Sequence, residues 1–513
     1  MAETWDSVVI GSGLGGLTAA ALLARAGQRV LVLERNAHLG GAATTFDRGG
    51  RRIEAALHET TPPGAALDPK GAIFDTLGLS ERVRFVPVGA FQEVRGRQVG
   101  GPLALPHGLA QAEAVLAGRF PEAAGGIGRF LDRVSRVREA ISAFSERHDG
   151  AWWRGHAADL PRDLWALGRD MGSSLGQVMA RDLDGAEGAK LALACNLPYY
   201  TDDPDRFWWL AYALAQGGFL TGGAAYIEGG SGALTAALAD IVRAGGGALR
   251  TGATVTTVTL DATGQAAGVR WAEAAGDGEA RAGTVLAGCA PAALAAMLPP
   301  REAAALMAPF QGRRLSISLF TVTYLLDRPG RDLGISSYST ALLPPWMERL
   351  GDFREAGAIL GRAPGRRMPP VVVVDYGHVA AGLGEGPAPV SVTGIDRLSN
   401  WAALDRTAYA ARKRAWADAL AERLDGEWPG FAAAVQSAEM ASARTMARFL
   451  GTPGGAVYGF APDVPEHPYR GPPTEVVSGV PQLFLASAWG GFGGVTGAMG
   501  TGAVAARAAL REP

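Results

Sequence analysis

Three glycines near the start of the chain have the spacing of a phosphate-binding turn. They belong to the pattern G-x-G-x-x-G, whose six positions are Gly11, Ser12, Gly13, Leu14, Gly15 and Gly16. The first glycine permits a tight turn, the second lets a pyrophosphate approach the backbone, and the third lets a helix lie close to a sheet. The N-terminus of that helix offers N–H groups and a positive dipole end to phosphates. We therefore predict a dinucleotide-binding site at this turn.

The segments on either side of the turn predict the elements that position it. Val8–Ile10 is apolar and rich in β-branched residues, which is typical of a strand buried on both faces. Residues 17–26 are strong helix formers, and Gly27 suits the end of a helix. A second apolar run ends in Glu34, which is placed to accept hydrogen bonds from the ribose of an adenosine. This strand–turn–helix–strand order is more specific than the glycine pattern alone.

Composition excludes several classes of function. The 513 residues predict roughly three domains, and a net charge of −2 gives no sign of a nucleic-acid partner. The two cysteines, Cys195 and Cys289, form no C-x-x-C pattern and are expected to be reduced thiols of a cytoplasmic protein. We expect no signal peptide and no membrane-spanning helix, because the start lacks a basic region and no apolar window reaches about 20 residues. A peripheral contact with a membrane surface stays open.

Two aromatic stretches are candidates for contact with apolar molecules. The cluster at residues 207–212, which follows Pro198–Tyr200, is typical of a pocket for a long apolar ligand. A tryptophan-rich amphipathic stretch at 152–167 is explained either by packing within the protein or by a membrane-surface or substrate-access lid.

Two other chemistries find no support. Gly172–Gly176 matches the G-x-S-x-G pattern of hydrolases, but residues 160–171 are predicted to be helical, whereas a nucleophile elbow follows a strand. We predict no metal site, because metal-ligand spacing is lacking among the histidines other than His58, namely His38, His107, His148, His156, His378 and His467.

The remaining elements alternate between helical and extended patterns. We predict helices over 68–79, most of 109–190, 231–243, 406–424 and about 495–510, and strands over 253–258, 266–288, 313–326, 371–374, 390–394 and 483–486.

Three separated glycine-rich segments carry a family resemblance. They are residues 8–41 with the doublet Gly40-Gly41, residues 228–234 with the later Val255, and the strand at 483–486 with its glycine-rich turn. In this order they resemble the FAD-binding parts of the phytoene desaturase, carotenoid isomerase and retinol saturase family of the amine oxidase superfamily. Blocks at 400–401, 443–450 and 454–459 are also similar to this family, so the resemblance covers nearly the whole chain.

The resemblance implies which residues bind FAD. A helix starting near Gly494 would direct its N-terminus at the flavin pyrimidine and stabilise the anionic reduced form, with Gly494, Gly497 and Gly502 allowing close approach to the cofactor. Relatives commonly carry an acid just after the last strand, where this chain has Ser-Ala-Trp at 487–489, so Trp489 is expected to border the flavin or the substrate. The implied FAD-binding residues are Gly11, Ser12, Gly13, Leu14, Gly15, Gly16, Glu34, Arg35, Gly40, Gly41, Ala42, Val255, Trp489, Gly494 and Val495.

Candidate catalytic residues come from the same resemblance. His58, in a block similar to one of the family, would lie with Glu59 near the flavin as an acid/base or polar gate, or else pack a loop. Tyr458 and Arg448 are further candidates, with a structural turn and a capping cation as the alternatives. The lysine that amine oxidases often place near the flavin has no convincing match among the three lysines, which weighs against amine oxidation.

The resemblance implies an α/β fold, with a Rossmann-like FAD-binding domain of the GR2 type and an inserted α+β substrate-binding domain. The FAD domain is expected at residues 1–90, 220–300 and 475–513, and the substrate domain with a helical lid at 91–219 and 301–474. The implied function is FAD-dependent desaturation or saturation of carbon–carbon bonds in a long apolar polyene or isoprenoid.

Three alternatives stay open at this point. They are a redox-neutral carotenoid cis–trans isomerase using reduced FAD, a flavin amine oxidase, and a prenyl-binding chaperone of the same fold. The intact glycine turn with Glu34 argues against the chaperone. Quinone, oxygen and NAD(P)H are equally open as redox partners.

Overall fold

The computed structural model describes residues 3–48, 50–145, 150–468 and 476–511. His148 and the domain boundary predicted between residues 474 and 475 lie outside these ranges.

The strands of the described ranges fall in two large sheets and two small antiparallel sheets of two strands each. They are β1 (Glu3–Ile10), β2 (Val30–Glu34), β3 (Thr45–Arg48), β4 (Arg51–Glu54), β5 (Phe85–Pro87), β6 (Gln92–Arg95), β7 (Leu103–Leu105), β8 (Ala225–Ile227), β9 (Ala248–Thr251), β10 (Thr254–Leu260), β11 (Ala266–Ala272), β12 (Gly278–Ala287), β13 (Ser318–Leu326), β14 (Ser339–Leu342), β15 (Val371–Asp375), β16 (Val390–Asp396), β17 (Val435–Ala441) and β18 (Leu483–Leu485).

The helices cover both sheets and fill the stretch between residues 109 and 222. They are α1 (Leu14–Arg25), α2 (Lys70–Leu77), α3 (Leu109–Arg119), α4 (Ala124–Ser145), α5 (Gly150–Gly155), α6 (Leu160–Arg169), α7 (Leu175–Asp182), α8 (Glu187–Leu193), α9 (Trp209–Gly222), α10 (Ser231–Ala244), α11 (Pro291–Ala295), α12 (Pro300–Met307), α13 (Phe353–Ala356), α14 (Arg406–Glu427), α15 (Phe431–Ala434), α16 (Ala443–Leu450) and α17 (Gly494–Ala509).

The first sheet has a parallel core built from both ends of the chain. Its order is β10-β11-β12-β1-β2-β9, and β18 also pairs with β12. The pairs β12–β1, β1–β2, β2–β9 and β12–β18 are parallel, whereas β10–β11 and β11–β12 are antiparallel. All residues of β2 are buried, as expected for a parallel strand with both faces covered. The predicted α/β class with a Rossmann-like core is confirmed.

Close helix packing on this sheet depends on small residues of α1 and α17. A Cβ at Gly16 would collide with the Gly11 carbonyl oxygen, and a Cβ at Gly502 would collide with the Gly15 carbonyl oxygen. Gly16 thus brings α1 onto the strand end, as its place in the pattern predicts. Gly502 was expected to let α17 approach the cofactor, but the structure uses it to pack α17 against α1.

The second sheet is mostly antiparallel and has the order β17-β13-β16-β15-β14-β6-β7. Its single parallel pair within the described residues is β14–β6. A buried core that includes Trp401, Trp416 and Trp428 joins one face of this sheet to α14. All strands of the first sheet lie within 1–90, 220–300 and 475–513, and all strands of the second lie within 91–219 and 301–474.

An exposed apolar patch lies on α6, beside the main helical core. Leu164 and Trp165 are 58% and 68% exposed. Leu167 of the same helix packs against the core instead. We call Leu164 and Trp165 the α6 patch. In the described part of the chain, no helix combines the length and apolarity needed to cross a bilayer.

Candidate cofactor and substrate site

A continuous cavity of about 2720 Å³ runs between the two sheets. One end is lined by residues that follow strands of the first sheet, namely Gly11 after β1, Glu34 at the end of β2 and Gly288 after β12. The other end is lined by residues of the second sheet, such as Leu319 and Thr393. The carboxyl ends of parallel strands are where open α/β sheets bind ligands.

The glycine turn leaves space where a phosphate group would lie. Gly11 adopts a φ of +87°, which disfavours any residue with a side chain. A Cβ at Gly13 would meet no atom within 4 Å, although Gly13 lines the cavity. The first turn of α1 has neither a side-chain cap nor an acidic residue. This open space in front of uncapped backbone N–H groups fits the pyrophosphate of FAD.

Glu34 is buried and fully hydrogen-bonded at the end of β2. Its Oε2 accepts bonds from the backbone N and the Oγ of Ser12, at 2.9 and 2.7 Å. Its Oε1 accepts bonds from the backbone N and the Nδ2 of Asn36, at 2.8 and 2.9 Å. A carboxylate has about four acceptor positions, so a ribose hydroxyl would replace one of these donors.

Most of the other predicted FAD-binding residues also line the cavity. Ser12 and Gly16 do not: Ser12 is buried behind Glu34, and Gly16 faces the first strand. Arg35 lies at the edge, where its Nη2 donates to the carbonyl oxygens of Arg448 and Phe449, each at 2.8 Å. The lining residues predicted from sequence are Gly11, Gly13, Leu14, Gly15, Glu34, Arg35, Gly40, Gly41, Ala42, Val255, Trp489, Gly494 and Val495.

The third segment forms a further part of the cavity wall, next to α1. Gly494, with a φ of +78° and no atom within 4 Å of a Cβ, begins α17 at the cavity surface. Trp489 is buried and packs edge-to-face on Phe460, with ring centroids 5.0 Å apart. Where relatives carry an acid, the Ser487 Oγ donates to the carbonyl oxygen of Cys289 at 3.1 Å. The N-terminal turn of α17 can therefore present its positive dipole end to bound FAD.

A buried ion pair secures the start of α17, and sequence reasoning did not identify it. The Lys70 Nζ donates to the Asp68 Oδ2 and to the Thr496 Oγ1 in the first turn of α17. The Lys70 and Asp68 side chains are 0% and 4% exposed. The signal available in the sequence was a rare lysine two residues after an aspartate, in a chain whose other cations are nearly all arginine.

His58 lies in the cavity wall with both ring nitrogens hydrogen-bonded. Nδ1 is 2.9 Å from the Tyr376 hydroxyl, and Nε2 is 2.9 Å from the Thr393 Oγ1. Burial lowers the pKa of His58 to about 4, so the ring is neutral at pH 7. Both partners come from the second sheet or its connections, so His58 holds the loop after β4 against that sheet.

Glu59, the next residue, lines the same cavity. Burial raises the pKa of its carboxyl group to about 8; the Asn196 amide lies near enough to lower this pKa slightly, but neither carboxyl oxygen has a hydrogen-bond partner of good geometry. The side chain is therefore a neutral carboxylic acid at pH 7. Sequence reasoning placed Glu59 with His58 near the flavin but did not predict that its carboxyl group is neutral.

Of the other two catalytic candidates, Tyr458 lies near Tyr199, which packs beside His58, whereas Arg448 lies at the edge of the cavity. Tyr458 lines the cavity, and its backbone N donates to the Ser316 Oγ at 3.0 Å. Arg448 is exposed at the rim, where its guanidinium lies 5.5 Å from the centre of the Phe449 ring. In the ranges that the structure describes, no three His, Cys, Asp or Glu residues are grouped to hold a metal ion.

Three comparisons place this geometry among known proteins. The family profile described as flavin containing amine oxidoreductase matches residues 14–344. All-trans-retinol 13,14-reductase of Rattus norvegicus is 28% identical over 304 residues, covering 52% of this chain and 44% of the relative. Prolycopene isomerase 1 of an Oncidium hybrid cultivar is 55% identical over 49 residues, covering 10% of this chain and 8% of the relative.

A solved structure of putrescine oxidase with bound putrescine has a TM-score of 0.63 at 16% identity and covers 99% of each chain. At this identity, the likeness shows the fold alone. The chain spans less than half the length of the curated reductases that it matches.

Proposed function

Because the chain belongs to the flavin containing amine oxidoreductase family, we propose that it is an FAD-dependent oxidoreductase that saturates a carbon–carbon double bond of a long apolar polyene or isoprenoid. The observation that carries the proposal is the continuity of the cavity. It leads from the glycine turn, which fits the FAD pyrophosphate, to a wall of aromatic and aliphatic side chains without a break.

The far wall of the cavity suits an apolar chain. The whole cavity has a volume of about 2720 Å³, whereas ordinary ligand pockets have roughly 300–1,000 Å³. The cavity therefore has room for FAD and for an extended substrate. The apolar lining residues in this part include Leu57, Tyr199, Tyr200, Phe207, Trp208, Ala211, Leu214, Phe219, Leu319 and Met440.

Bound FAD supplies the hydride chemistry, and the residues of this chain supply binding and shielding. Gly13 and the first turn of α1 hold the pyrophosphate, while the start of α17 stabilises negative charge near the flavin. The apolar wall excludes water from the reacting carbons. His58 stays neutral and fixed by two hydrogen bonds, and Glu59 holds a proton at neutral pH.

The visible spectrum of the purified protein tests this function. We expect oxidised flavin bands that bleach with dithionite under anaerobic conditions and return when a polyene such as all-trans-retinol is added. The product should contain two more hydrogens than the substrate. All-trans-retinol is the first probe because several relatives are named after its reduction.

Each other outcome contradicts the proposal in a defined way. Bleaching by the polyene without dithionite would show desaturation. A change in the polyene band while the flavin stays reduced would show isomerisation. Hydrogen peroxide release with an amine such as putrescine would show amine oxidation, and the lack of any flavin bands would favour a binding protein.

We also propose that the α6 patch contacts a membrane surface, from which an apolar substrate would enter. Leu164 and Trp165 face solvent, and tryptophan favours the boundary between water and lipid. The chain segment just after α6 adjoins the cavity wall, because the Trp208 Nε1 donates to the Met171 carbonyl oxygen at 2.6 Å and Trp208 lines the cavity.

Charge at the α6 patch should weaken this contact. We expect the double substitution Leu164→Glu and Trp165→Glu to reduce co-sedimentation with phospholipid vesicles at least about fivefold, because both changes remove apolar area and add negative charge. A matched control is Val477→Glu, at an equally exposed apolar residue outside the cavity lining, which should not reduce it. Equal co-sedimentation of all three proteins would exclude the α6 patch as the contact surface.

A further inference from the structure

Three neighbouring side chains of the cavity wall have polar atoms without a hydrogen-bond partner. They belong to Glu59, Asn196 and Tyr199, which all line the cavity. The unpartnered atoms are both carboxyl oxygens of Glu59, the Oδ1 of Asn196 and the hydroxyl of Tyr199, and all are buried. The ring of Tyr199 also lies 5.8 Å from the ring of His58, between centroids. We call these three side chains the polar cluster.

Such a concentration of unpaired groups requires an explanation. More than nine in ten buried polar groups in folded proteins have a hydrogen-bond partner. Each buried group left without a partner destabilises the folded protein. The adjoining cavity is large enough to admit water or part of a ligand, so a partner can come from outside the chain. Because the three residues face one cavity, a single ligand group can satisfy them together.

The charge state of the polar cluster narrows the ligand chemistry. The titratable groups facing the Glu59 carboxyl are His58 beside it and, from the surrounding elements, Cys195, Tyr199, Tyr200 and Tyr338. Burial lowers the pKa of His58 and raises the pKa values of Cys195 and the tyrosines, so all are neutral at pH 7. In the described part of the chain, no lysine or arginine shifts the pKa of Glu59. An anionic ligand group would therefore find no counter-ion.

We propose that the polar cluster binds one uncharged oxygen function, a hydroxyl or a carbonyl, of an otherwise apolar substrate. The proposal rests on the function proposed above and narrows its substrate class to polyenes or isoprenoids that carry an oxygen function. The carboxylic acid of Glu59 and the hydroxyl of Tyr199 can donate to a ligand oxygen, and the Asn196 Oδ1 can accept from a ligand hydroxyl. A pure hydrocarbon would leave all of these groups unpaired, and a site built for a polar group discriminates strongly against the analogue that lacks it.

Ligand binding to the FAD-loaded protein tests this inference without turnover. The probes are all-trans-retinol, all-trans-retinal, the matching hydrocarbon without the terminal oxygen, and retinylamine. Quenching of tryptophan fluorescence gives a Kd for each. We expect retinol and retinal to bind at least about tenfold more tightly than the hydrocarbon, which corresponds to the loss of one satisfied buried group.

Substitutions in the polar cluster test whether these side chains cause the difference in affinity between the oxygenated probes and the hydrocarbon. Glu59→Leu and Tyr199→Phe should each weaken retinol and retinal binding about tenfold and leave hydrocarbon binding within about twofold. Glu59→Gln should retain most of the affinity, because the amide is also an uncharged donor. Flavin content and the melting temperature show whether each variant is folded, and Tyr199→Phe gives a second reading if Glu59→Leu does not fold.

Two results would overturn the inference while leaving the polyene proposal intact. One is equal affinity for retinol and the hydrocarbon, with the same losses for both in the variants. The other is tightest binding of retinylamine that Glu59→Gln abolishes, which would mean that Glu59 pairs with a cation. If no probe binds, including the hydrocarbon, the polyene function fails and the polar cluster loses its proposed ligand.

Discussion

Substitution of Gly13 by valine is expected to abolish FAD binding and leave the protein folded. Gly13 has a φ of −60° and a ψ of 163°, an extended conformation that valine adopts readily. A Cβ there would meet no protein atom within 4 Å, so the added methyl groups would project into the space that fits the pyrophosphate. The flavin absorbance of the purified variant should fall to background, and all flavin-dependent activity with it.

Gly118→Val is the matched control for this substitution. Gly118 also has free space around a Cβ, but it lies on the exposed face of α3, away from the cavity. This variant should keep its full flavin content, and both variants should melt as cooperatively as the unliganded protein. Normal flavin content in Gly13→Val would show that the pyrophosphate does not lie at this turn.

Substitution of Lys70 by methionine is expected to destabilise the protein by about 3–5 kcal/mol, the usual cost of removing one partner of a buried ion pair. Methionine preserves the apolar stem of the side chain but leaves the Asp68 carboxylate buried without its cation. It also removes the bond from Lys70 to Thr496, so the first turn of α17 loses an anchor. Urea unfolding should show the lower stability, and the flavin should dissociate at lower urea concentrations.

A double variant separates the unpaired charge from the lost contacts. Lys70→Met combined with Asp68→Asn should recover a large part of the stability, because no uncompensated charge stays buried. Lys190→Met is the matched control, since its partner Glu187 is 32% exposed and can be hydrated when the lysine is lost, so the cost should stay below about 1 kcal/mol. An equal loss of stability in Lys70→Met and Lys190→Met would show that burial of the Lys70–Asp68 pair does not increase its contribution to stability.

Local chemistry explains which parts of the site could be predicted from the sequence. The glycine pattern and the acid at the end of β2 depend on short-range rules, since a tight turn needs glycine at Gly11 and a following strand of fixed length places Glu34 near it. The parallel core followed from apolar runs that match buried strands. These features depend on neighbours along the chain, so one sequence was enough.

The features that the sequence did not predict depend on contacts between distant segments. Nothing near Gly502 shows that its neighbour is the backbone of α1 and not the cofactor. Arg35, although part of the first segment, donates to carbonyl oxygens more than four hundred residues later in the chain. The neutral state of Glu59 likewise depends on burial by side chains from other elements. The residue pattern within one segment does not show which distant segments it will contact in the folded protein.

The pairing of β18 with β12, and the packing of α17 on α1, have a consequence for biosynthesis. A ribosome delivers the chain from the N-terminus, yet β18 and the start of α17, which complete the parallel core and one wall of the cofactor cavity, are made long after β1. The helical and mostly antiparallel portions can begin to fold while translation continues, whereas the parallel core stays incomplete until the last strand emerges. Flavin is therefore expected to bind only after β18 and α17 have emerged from the ribosome, well after the glycine turn that fits its pyrophosphate.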